Sequence, residues 1–141
     1  MTPERMAAIH AAAFVTQRPW NATEFRALLA DPTTVVVSPS DACFALARII
    51  AGEAELLTLA THPDQRRQGL ARDCMQQILK ASASAGSLRM FLEVDSTNRG
   101  AIALYKHIGF EQVGNRAKYY THPDGTRADA IVMQIEPLIR A

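Results

Sequence analysis

The sequence has few cysteines, and their placement argues against a disulfide-stapled or metal-bound protein. Cys43 and Cys74 form no Cys-x-x-Cys pair, so neither a disulfide framework nor a zinc site is indicated. The four histidines show no metal-ligand spacing with one another or with the cysteines, so no bound metal is expected. Free thiols fit a reducing compartment, and we expect a cytoplasmic protein.

An excess of charge is also lacking, as is any long apolar run. The 15 Lys and Arg residues nearly balance the 14 Asp and Glu residues, for a net charge of +1. So weak a field indicates neither nucleic acid nor an anionic membrane as a direct partner. The N-terminus has no basic segment before a long apolar stretch, and no apolar run reaches membrane-spanning length. We therefore expect a soluble, unexported protein.

The residues that are present are typical of one globular domain. Apolar residues make up 48% of the chain and charged residues 21%, as in folded soluble proteins rather than disordered or fibrous ones. The length of 141 residues suits one compact domain with a real core. We expect residues 1–141 to form a single domain that acts as a monomer or a homodimer.

The first 60 residues predict two helices and then three strands. A Thr-Pro pair at positions 2–3 predicts a helix to about Phe14, and a capping arrangement from Asn21 predicts a second helix that Asp31-Pro32 ends. Runs of β-branched residues then predict an antiparallel meander. Its strands are expected at 33–37, 43–50 and 55–60, with turns at 38–41 and at Gly52.

The remaining residues predict a strand-helix-strand unit and a closing hairpin. Apolar residues recur at helical spacing from Leu70 to Ala81, and Gly86 ends that helix. The elements expected after it are a strand at 88–94, a helix from Asn98 to Gly109, and strands at 110–120 and 128–135 around a Pro-Asp-Gly turn. Strands joined by a long helix pair in parallel. We therefore predict an α+β fold, with a mixed, mostly antiparallel sheet and helices on both faces.

The segment between the third strand and the central helix is polar and basic. It reads Gln65-Arg66-Arg67-Gln68-Gly69-Leu70-Ala71, so small residues fall where the helix begins. Free backbone N–H groups and the helix dipole attract phosphate at such a place, although a simple turn with solvated arginines has the same composition. The segment matches neither the NTPase loop nor the dinucleotide fingerprint, so another phosphorylated ligand is required.

Several ordered motifs resemble those of the GNAT acetyltransferases. Arg66-x-x-Gly69-x-Ala71 after a strand is similar to the signature with which that family holds the CoA pyrophosphate. Further motifs look like those of RimI-type ribosomal-protein-alanine acetyltransferases: Leu92-Glu93-Val94, Asn98, Ala101-Ile-Ala-Leu-Tyr105, Gly109-Phe110, Tyr119-Tyr120, Asp124-Gly125 and Asp129-Ala130. The resemblance covers about residues 53–135. It implies transfer of acetyl from acetyl-CoA to a primary amine, in its sharpest form the N-terminal amine of a ribosomal protein.

The resemblance also implies roles for individual residues. Glu93 stands at the family's general base and Tyr105 at its general acid, for direct attack of the amine without a covalent enzyme intermediate. The residues implied for acetyl-CoA binding are Leu57, Thr58, Leu59, Arg66, Arg67, Gln68, Gly69, Leu70, Ala71, Asn98 and Tyr105. The candidates for lining an acceptor groove are Trp20, Tyr119 and Tyr120, which are equally compatible with ordinary packing.

The sequence departs from the family pattern in two ways. The chain enters a helix almost at once, so the family's first edge strand is missing from the pattern. Asp95 stands where arginine is common and Ala128 where glutamate is common, which leaves the acceptor open. Two other functions fit the same motifs: acetylation of a lysine or of a small amine, and binding of acyl-CoA by a module without turnover.

Overall fold

The computed structural model describes residues 1–14, 18–66 and 68–138, and each predicted helix and strand is present there. The elements are α1 (Pro3–Ala13), α2 (Ala22–Ala30), β1 (Thr34–Ser40), β2 (Cys43–Ile50), β3 (Glu53–Thr61), α3 (Leu70–Ser84), β4 (Arg89–Asp95), α4 (Arg99–Ile108), β5 (Glu111–Thr121) and β6 (Arg127–Ile135). A short 3-10 turn, Pro63–Gln65, precedes α3. The order of elements predicted from sequence is confirmed.

Three helices begin where the sequence offers a capping side chain. Thr2 caps α1, and Asn21 and Glu24 form a reciprocal capping box at the start of α2. The Oδ1 atom of Asn98 accepts a hydrogen bond from the N–H of Ala101 at 3.2 Å at the start of α4. A cap contributes about 1 kcal/mol, which is enough to decide where a short helix starts.

The six strands form one mixed sheet in the order β1-β2-β3-β4-β6-β5. Each neighbouring pair is antiparallel except β3 and β4, which are parallel. α3 connects these two strands, because a parallel pair needs a long crossover. The predicted mixed, mostly antiparallel sheet is confirmed.

The end of β1 differs from the prediction. A turn was expected at residues 38–41, but β1 continues through Pro39 to Ser40, and the turn is formed by Asp41 and Ala42. β1 is an edge strand, so the N–H that proline lacks removes no hydrogen bond from the ladder. Its pairing with β2 shifts register after Val37.

β2 separates two apolar cores. Cys43, Ala45 and Ala47 pack with residues of α3 and α4 on one face, whereas Phe44 and Leu46 pack with residues of α1 and α2 on the other. Successive side chains of a strand point to opposite faces, and both faces of β2 are covered over residues 43–47, so all five of these residues are apolar and buried. The prediction of helices on both faces of the sheet is confirmed.

The two cysteines, distant in sequence, are neighbours in the core beneath α3. Both are buried free thiols. The interaction of the two thiols lowers the pKa of Cys43, and the same interaction together with burial raises the pKa of Cys74. The predicted packing of Cys74 in the core is confirmed.

β3 and β4 are paired over only part of their length. Their pairing ends at Glu55 and Phe91, although both strands continue beyond that point. β3 also contains a bulge, because Leu57 is an extra residue between its successive pairs with β2. A bulge bends its strand, so among the described residues the sheet opens between the carboxyl ends of β3 and β4.

Within residues 1–14, no strand precedes α1. β1 and β5 lie at the two edges of the sheet that the described residues form. In the described parts of the chain, each helix is too short or too polar to cross a bilayer.

Candidate active site

The start of α3 differs from the starts of α1, α2 and α4. Gly69 is its N-cap residue, with a left-handed φ of 76° and no side chain that could cap the first N–H groups. A Cβ atom built at Gly69 would meet no described heavy atom within 4 Å, so the space beside the helix start is open. Uncapped N–H groups at the positive end of the helix dipole form an anion-binding feature.

The described side chains of the loop before α3 differ in their contacts. The Nη2 atom of Arg66 donates to the carbonyl oxygen of Ala13, at the end of α1, at 3.4 Å. Ala71 lies in the first turn of α3 and presents only a methyl group. Arg67, a predicted pyrophosphate ligand, lies outside the described residues. Arg66 therefore connects the loop to α1.

A recess of about 460 Å³ lies beside this loop. Its walls include Gln65, Gln68 and Leu70 of the loop, together with Asp41 and His62. Asp64 also lines the recess, so its walls carry two carboxylates. Leu70 also anchors the helix start, because its carbonyl oxygen lies 3.7 Å from the Sγ atom of Cys43.

Leu57, Thr58 and Leu59 lie in the part of β3 that follows the last pair with β4. The hydroxyl of Thr58 is buried and has no hydrogen-bond partner among the described residues. Backbone groups on an unpaired strand edge can bind an extended chain that carries amides, as an added strand would. The pantetheine arm of CoA is such a chain, so this segment fits its predicted role.

Glu93 lies on β4, in the part of the strand that is not paired with β3. Its side chain is 20% exposed, and its Oε1 atom lies 3.2 Å from the Nη2 atom of Arg116. Arg116 comes from β5, on the far side of β6. The ion pair keeps the carboxylate of Glu93 beside a positive charge.

Tyr105 is a buried residue of α4, with a relative exposure of 7%. Its ring packs against that of Phe110 at a centroid distance of 5.7 Å. Burial raises the pKa of Tyr105, and the neighbouring groups Tyr120 and Cys74 raise it further. The hydroxyl therefore keeps its proton throughout the neutral range.

Tyr120 is the neighbour that Glu93 and Tyr105 share. Burial, with the negative charge of Glu93 as the next cause, raises the pKa of Tyr120 to about 12. Tyr120 in turn contributes to the raised pKa of Tyr105. The structure thus brings the predicted base, the predicted acid and one predicted acceptor-site tyrosine into one region.

Tyr119 reaches the same region because β5 is irregular. Its pairing with β6 shifts between Arg116 and Tyr120, and Lys118 has a left-handed φ of 53°, held by a 2.9 Å bond from its N–H to Asp129. The Tyr119 and Tyr120 rings meet edge to face at 5.1 Å, whereas neighbours in a regular strand point to opposite faces. The guanidinium of Arg116 lies 5.4 Å from the Tyr119 ring centre.

Trp20 belongs to an aromatic cluster between α1 and α2. Its ring stacks on His10 at 5.0 Å and lies 5.6 Å from Phe25. The backbone N–H of Trp20 donates to the Nδ1 atom of His10 at 3.1 Å. Burial lowers the pKa of His10 to about 4, so the ring is neutral and can accept this bond. These contacts are core packing, and a role for Trp20 in the acceptor groove stays a prediction.

Asn98, the remaining predicted cofactor ligand, uses one of the two polar groups of its side-chain amide within the protein. Its carbonyl oxygen caps α4 through the N–H of Ala101. The NH₂ group is therefore the part of the amide that can contact a cofactor. This use is compatible with capping, because the two ends of the amide serve different partners.

Two side-chain pairs near Glu93 were not predicted from the sequence. One is the Glu93–Arg116 ion pair, and the other joins Asp95 to His122 at 2.6 Å. Strand alternation places Glu93 and Asp95 on one face of β4. This is the signal in the sequence that could have indicated that both have partners on the same side of the sheet. Their partners lie on a hairpin with two register shifts, so spacing cannot identify them. Among the described residues, no three His, Cys, Asp or Glu side chains form a metal-binding group.

Comparison with known families agrees with this geometry. The profile of the acetyltransferase (GNAT) family matches residues 7–110, which is more than half of the chain. The protein therefore belongs to the GNAT acetyltransferase family.

Similar proteins act on ribosomal or other protein N-termini according to their names. The ribosomal protein bS18 alanine N-acetyltransferase of Escherichia coli K12 is 38% identical over 94 residues, which is 67% of this chain and 63% of that enzyme, somewhat less than two thirds of its length. The N-alpha-acetyltransferase RimI of Mycobacterium tuberculosis is 30% identical over 125 residues, 83% of this chain and 77% of the relative. The crystal structure of the Escherichia coli ribosomal-protein-S18-alanine N-acetyltransferase superposes with a TM-score of 0.85 at 30% identity, covering 99% of this chain and 89% of the other.

Proposed function

We propose that this protein transfers acetyl from acetyl-CoA to the N-terminal α-amino group of a protein, in its sharpest form an alanine of a ribosomal protein. The observation that carries the proposal is the opening between β3 and β4, which leads to the uncapped start of α3 and adjoins Glu93, Tyr105 and Tyr120. The names of the bacterial relatives support the acceptor. We place the reaction in the cytoplasm, with the enzyme as a monomer or homodimer.

Acetyl-CoA fits the residues along this opening. The backbone of residues 57–59 would pair with the pantetheine arm, and the N–H groups of residues 69–71 would hold the pyrophosphate. Arg66 and Arg67 would offset its charge, and the NH₂ group of Asn98 would add a contact. When bound, acetyl-CoA supplies an activated acetyl thioester.

Glu93 would remove a proton from the acceptor amine. A protein α-amino group has a reference pKa of about 8, so most of it is protonated at neutral pH. The carboxylate of Glu93 is partly exposed beside Arg116, and it can take the proton directly or through one water. Arg116 would keep the carboxylate in a fixed orientation while this happens.

Tyr105 would donate a proton or a hydrogen bond to the departing sulfur. Its raised pKa means that the hydroxyl is protonated whenever the enzyme works near neutral pH. The buried ring restricts the position of the hydroxyl, so donation does not require the side chain to be ordered first.

The experiment that tests the proposed function is thiol release from acetyl-CoA with defined peptides. We expect turnover on peptides with a free N-terminal alanine and none on the same peptides with a blocked N-terminus. A blocked peptide that contains lysine, and a set of small amines, complete the panel. Transfer to lysine or small amines alone would show that the acceptor is one of these amines and not a protein N-terminus. Binding of acetyl-CoA without any transfer would favour a binding module.

We expect Gly69→Ala to destabilise the fold and weaken acetyl-CoA binding. Residue 69 has φ of 76°, and an L-residue in that region costs about 1 kcal/mol. The new methyl group meets no described atom within 4 Å, so it lies in the space expected for phosphate. Chemical denaturation and calorimetric titration with acetyl-CoA measure the two effects.

Gly100→Ala is the matched control for this substitution. Gly100 lies in α4 without a left-handed φ and also has free space around its Cβ position. Alanine there favours the helix by about 0.5–1 kcal/mol, so this variant should be more stable and bind acetyl-CoA normally. Equal behaviour of the two variants would contradict a special role for Gly69.

A further inference from the structure

We propose that His122, held by Asp95, is a positioning residue of the acceptor site. It would fix the β5–β6 hairpin so that Tyr119 and Tyr120 stay beside Glu93. The inference rests on the proposed function, since it assigns the hairpin to the acceptor side of that reaction.

The Asp95–His122 contact is buried and short. Asp95 is the last residue of β4, with a relative exposure of 3%, and the side chain of His122 is 12% exposed. The Nε2 atom of His122 lies 2.6 Å from the Oδ2 atom of Asp95. The other carboxylate oxygen accepts hydrogen bonds from the N–H and the hydroxyl of Thr97 at 2.9 and 2.7 Å. Asp95 is therefore engaged on both oxygens and has no free oxygen aimed at a substrate.

The charge state of Asp95 fixes the direction of the hydrogen bond. Burial alone would raise the pKa of Asp95, but hydrogen bonds from His122 and Thr97 more than offset it and hold the pKa below its usual range. The carboxylate is therefore ionised and can only accept. The Nε2 atom of His122 must carry the proton and donate it, in a charge-assisted bond of the strong kind.

The other side of the His122 ring faces the hairpin turn. Its Nδ1 atom lies 3.3 Å from the hydroxyl of Thr126, and that hydroxyl donates to Asp124 at 2.6 Å. The backbone N–H of His122 also donates to the carbonyl of Thr126 at 2.8 Å, and the N–H of Gly125 donates to the carbonyl of His122 at 2.9 Å. The hydroxyl hydrogen of Thr126 is donated to Asp124, so His122 is bonded to the closed turn through its backbone and to the end of β4 through Nε2.

Two side-chain bridges cross over β6 and bracket the two tyrosines. β5 is separated from β4 by β6, so β5 has no backbone pairing with the strand that carries Glu93. Arg116 bridges to Glu93 before the tyrosine pair, and His122 bridges to Asp95 after it. Ala130 of β6 is paired with Asp95 on one side and with Arg116 on the other. Its small side chain leaves room for the long ones to cross.

The bracketed segment needs such a bridge because its own ladder is broken. The β5–β6 pairing is interrupted between Arg116 and Tyr120, and Lys118 departs from strand conformation. Among the described residues, the other contacts that hold the segment are Arg116, the Lys118–Asp129 bond, a 2.7 Å bond from Arg127 to the carbonyl of Lys118 and the pairs at Tyr120 and Thr121. Loss of the bridge should therefore loosen the tyrosines and weaken acceptor binding, while the acetyl-CoA site at α3 stays intact.

The test compares His122→Ala and Asp95→Asn with wild type in peptide acetylation and in backbone hydrogen exchange. We expect the acceptor KM to rise roughly tenfold, as for the loss of one charge-assisted bond, with the acetyl-CoA KM unchanged and kcat reduced less than the acceptor KM rises. Amides of residues 116–121 should exchange faster. Combining the two substitutions should add little to either one, because both remove the same charge-assisted bond.

Two further variants separate positioning from general stability. His122→Gln keeps an amide donor near the position of Nε2 and should recover most of the wild-type KM. His107→Ala removes an exposed histidine of α4 and should leave all values unchanged. A merely structural role would lower kcat and raise both KM values by similar factors, and His122→Gln would not restore them. That result would overturn the inference.

The outcomes also distinguish this inference from the proposed function. A wild-type protein that acetylates no peptide N-terminus contradicts the proposed function whatever His122 does. If wild type is active and His122→Ala has a normal acceptor KM, this inference alone is wrong. Unchanged exchange at residues 116–121 in His122→Ala also overturns it, and that readout requires no turnover.

Discussion

Tyr105→Phe should lower kcat by roughly 100-fold or more while leaving the fold and acetyl-CoA affinity nearly unchanged. The substitution removes only the hydroxyl, and the ring can keep its contact with Phe110 at 5.7 Å. General acid catalysis typically contributes factors of about 10² to 10⁴. Steady-state kinetics with an alanine-starting peptide measure the loss, and a thermal melt checks that the variant is folded.

Tyr119→Phe is the matched control, because it removes a phenol hydroxyl from the same region. Tyr119 is 52% exposed, and its ring contacts, with Arg116 and Tyr120, do not need the hydroxyl. We expect an effect of a few fold, mainly on the acceptor KM. A Tyr105→Phe enzyme with near wild-type kcat would remove Tyr105 from the proposed mechanism and leave it as a packing residue.

Glu93→Gln should lower kcat/KM by roughly 100-fold at pH 6 and roughly tenfold at pH 7, and its deficit should shrink further as pH rises. The variant cannot take a proton from the acceptor, so it depends on the fraction of amine that is already neutral. That fraction grows as pH approaches and passes the reference α-amino pKa of about 8. The amide keeps an oxygen that can accept from Arg116, so the side chain should hold its place.

The measurement is a pH profile of kcat/KM for Glu93→Gln beside wild type and Glu111→Gln. Glu111 is an exposed residue at the start of β5, and its amide variant should follow the wild-type profile. A Glu93→Gln deficit that is constant over pH 6 to 9 would falsify the general-base role, because a missing base is compensated by deprotonated substrate. An electrostatic or structural role would then be the better account of Glu93.

Much of the fold could be predicted because local signals and tertiary packing agree. Caps at Thr2, Asn21 and Asn98 placed three helix starts correctly, since a cap acts within four residues of chain. The β-branched runs between turn-forming residues indicated the three strands of the meander. The departure at Pro39 shows the limit of such signals, because whether a proline ends a strand depends on whether that strand lies at an edge.

The candidate site was predictable where its parts are contiguous in sequence. The loop before α3 and its glycine could be identified from residue types, because a helix start binds anions through its own backbone. The resemblance to GNAT enzymes added Glu93 and Tyr105. The partners of these residues were not predictable: Arg116, Tyr120 and the Asp95–His122 pair depend on how β5 lies against β6.

The sequence by itself determined the order of helices and strands and the small residues at the start of α3, because each follows from residues within a few positions of one another. The tertiary structure decided the opening between β3 and β4, the pairing of Glu93 with Arg116 and the contact of Asp95 with His122. These depend on bulges at Leu57 and around Lys118. A one-residue shift of register exchanges the two faces of a strand, and only the packed sheet selects which register is formed.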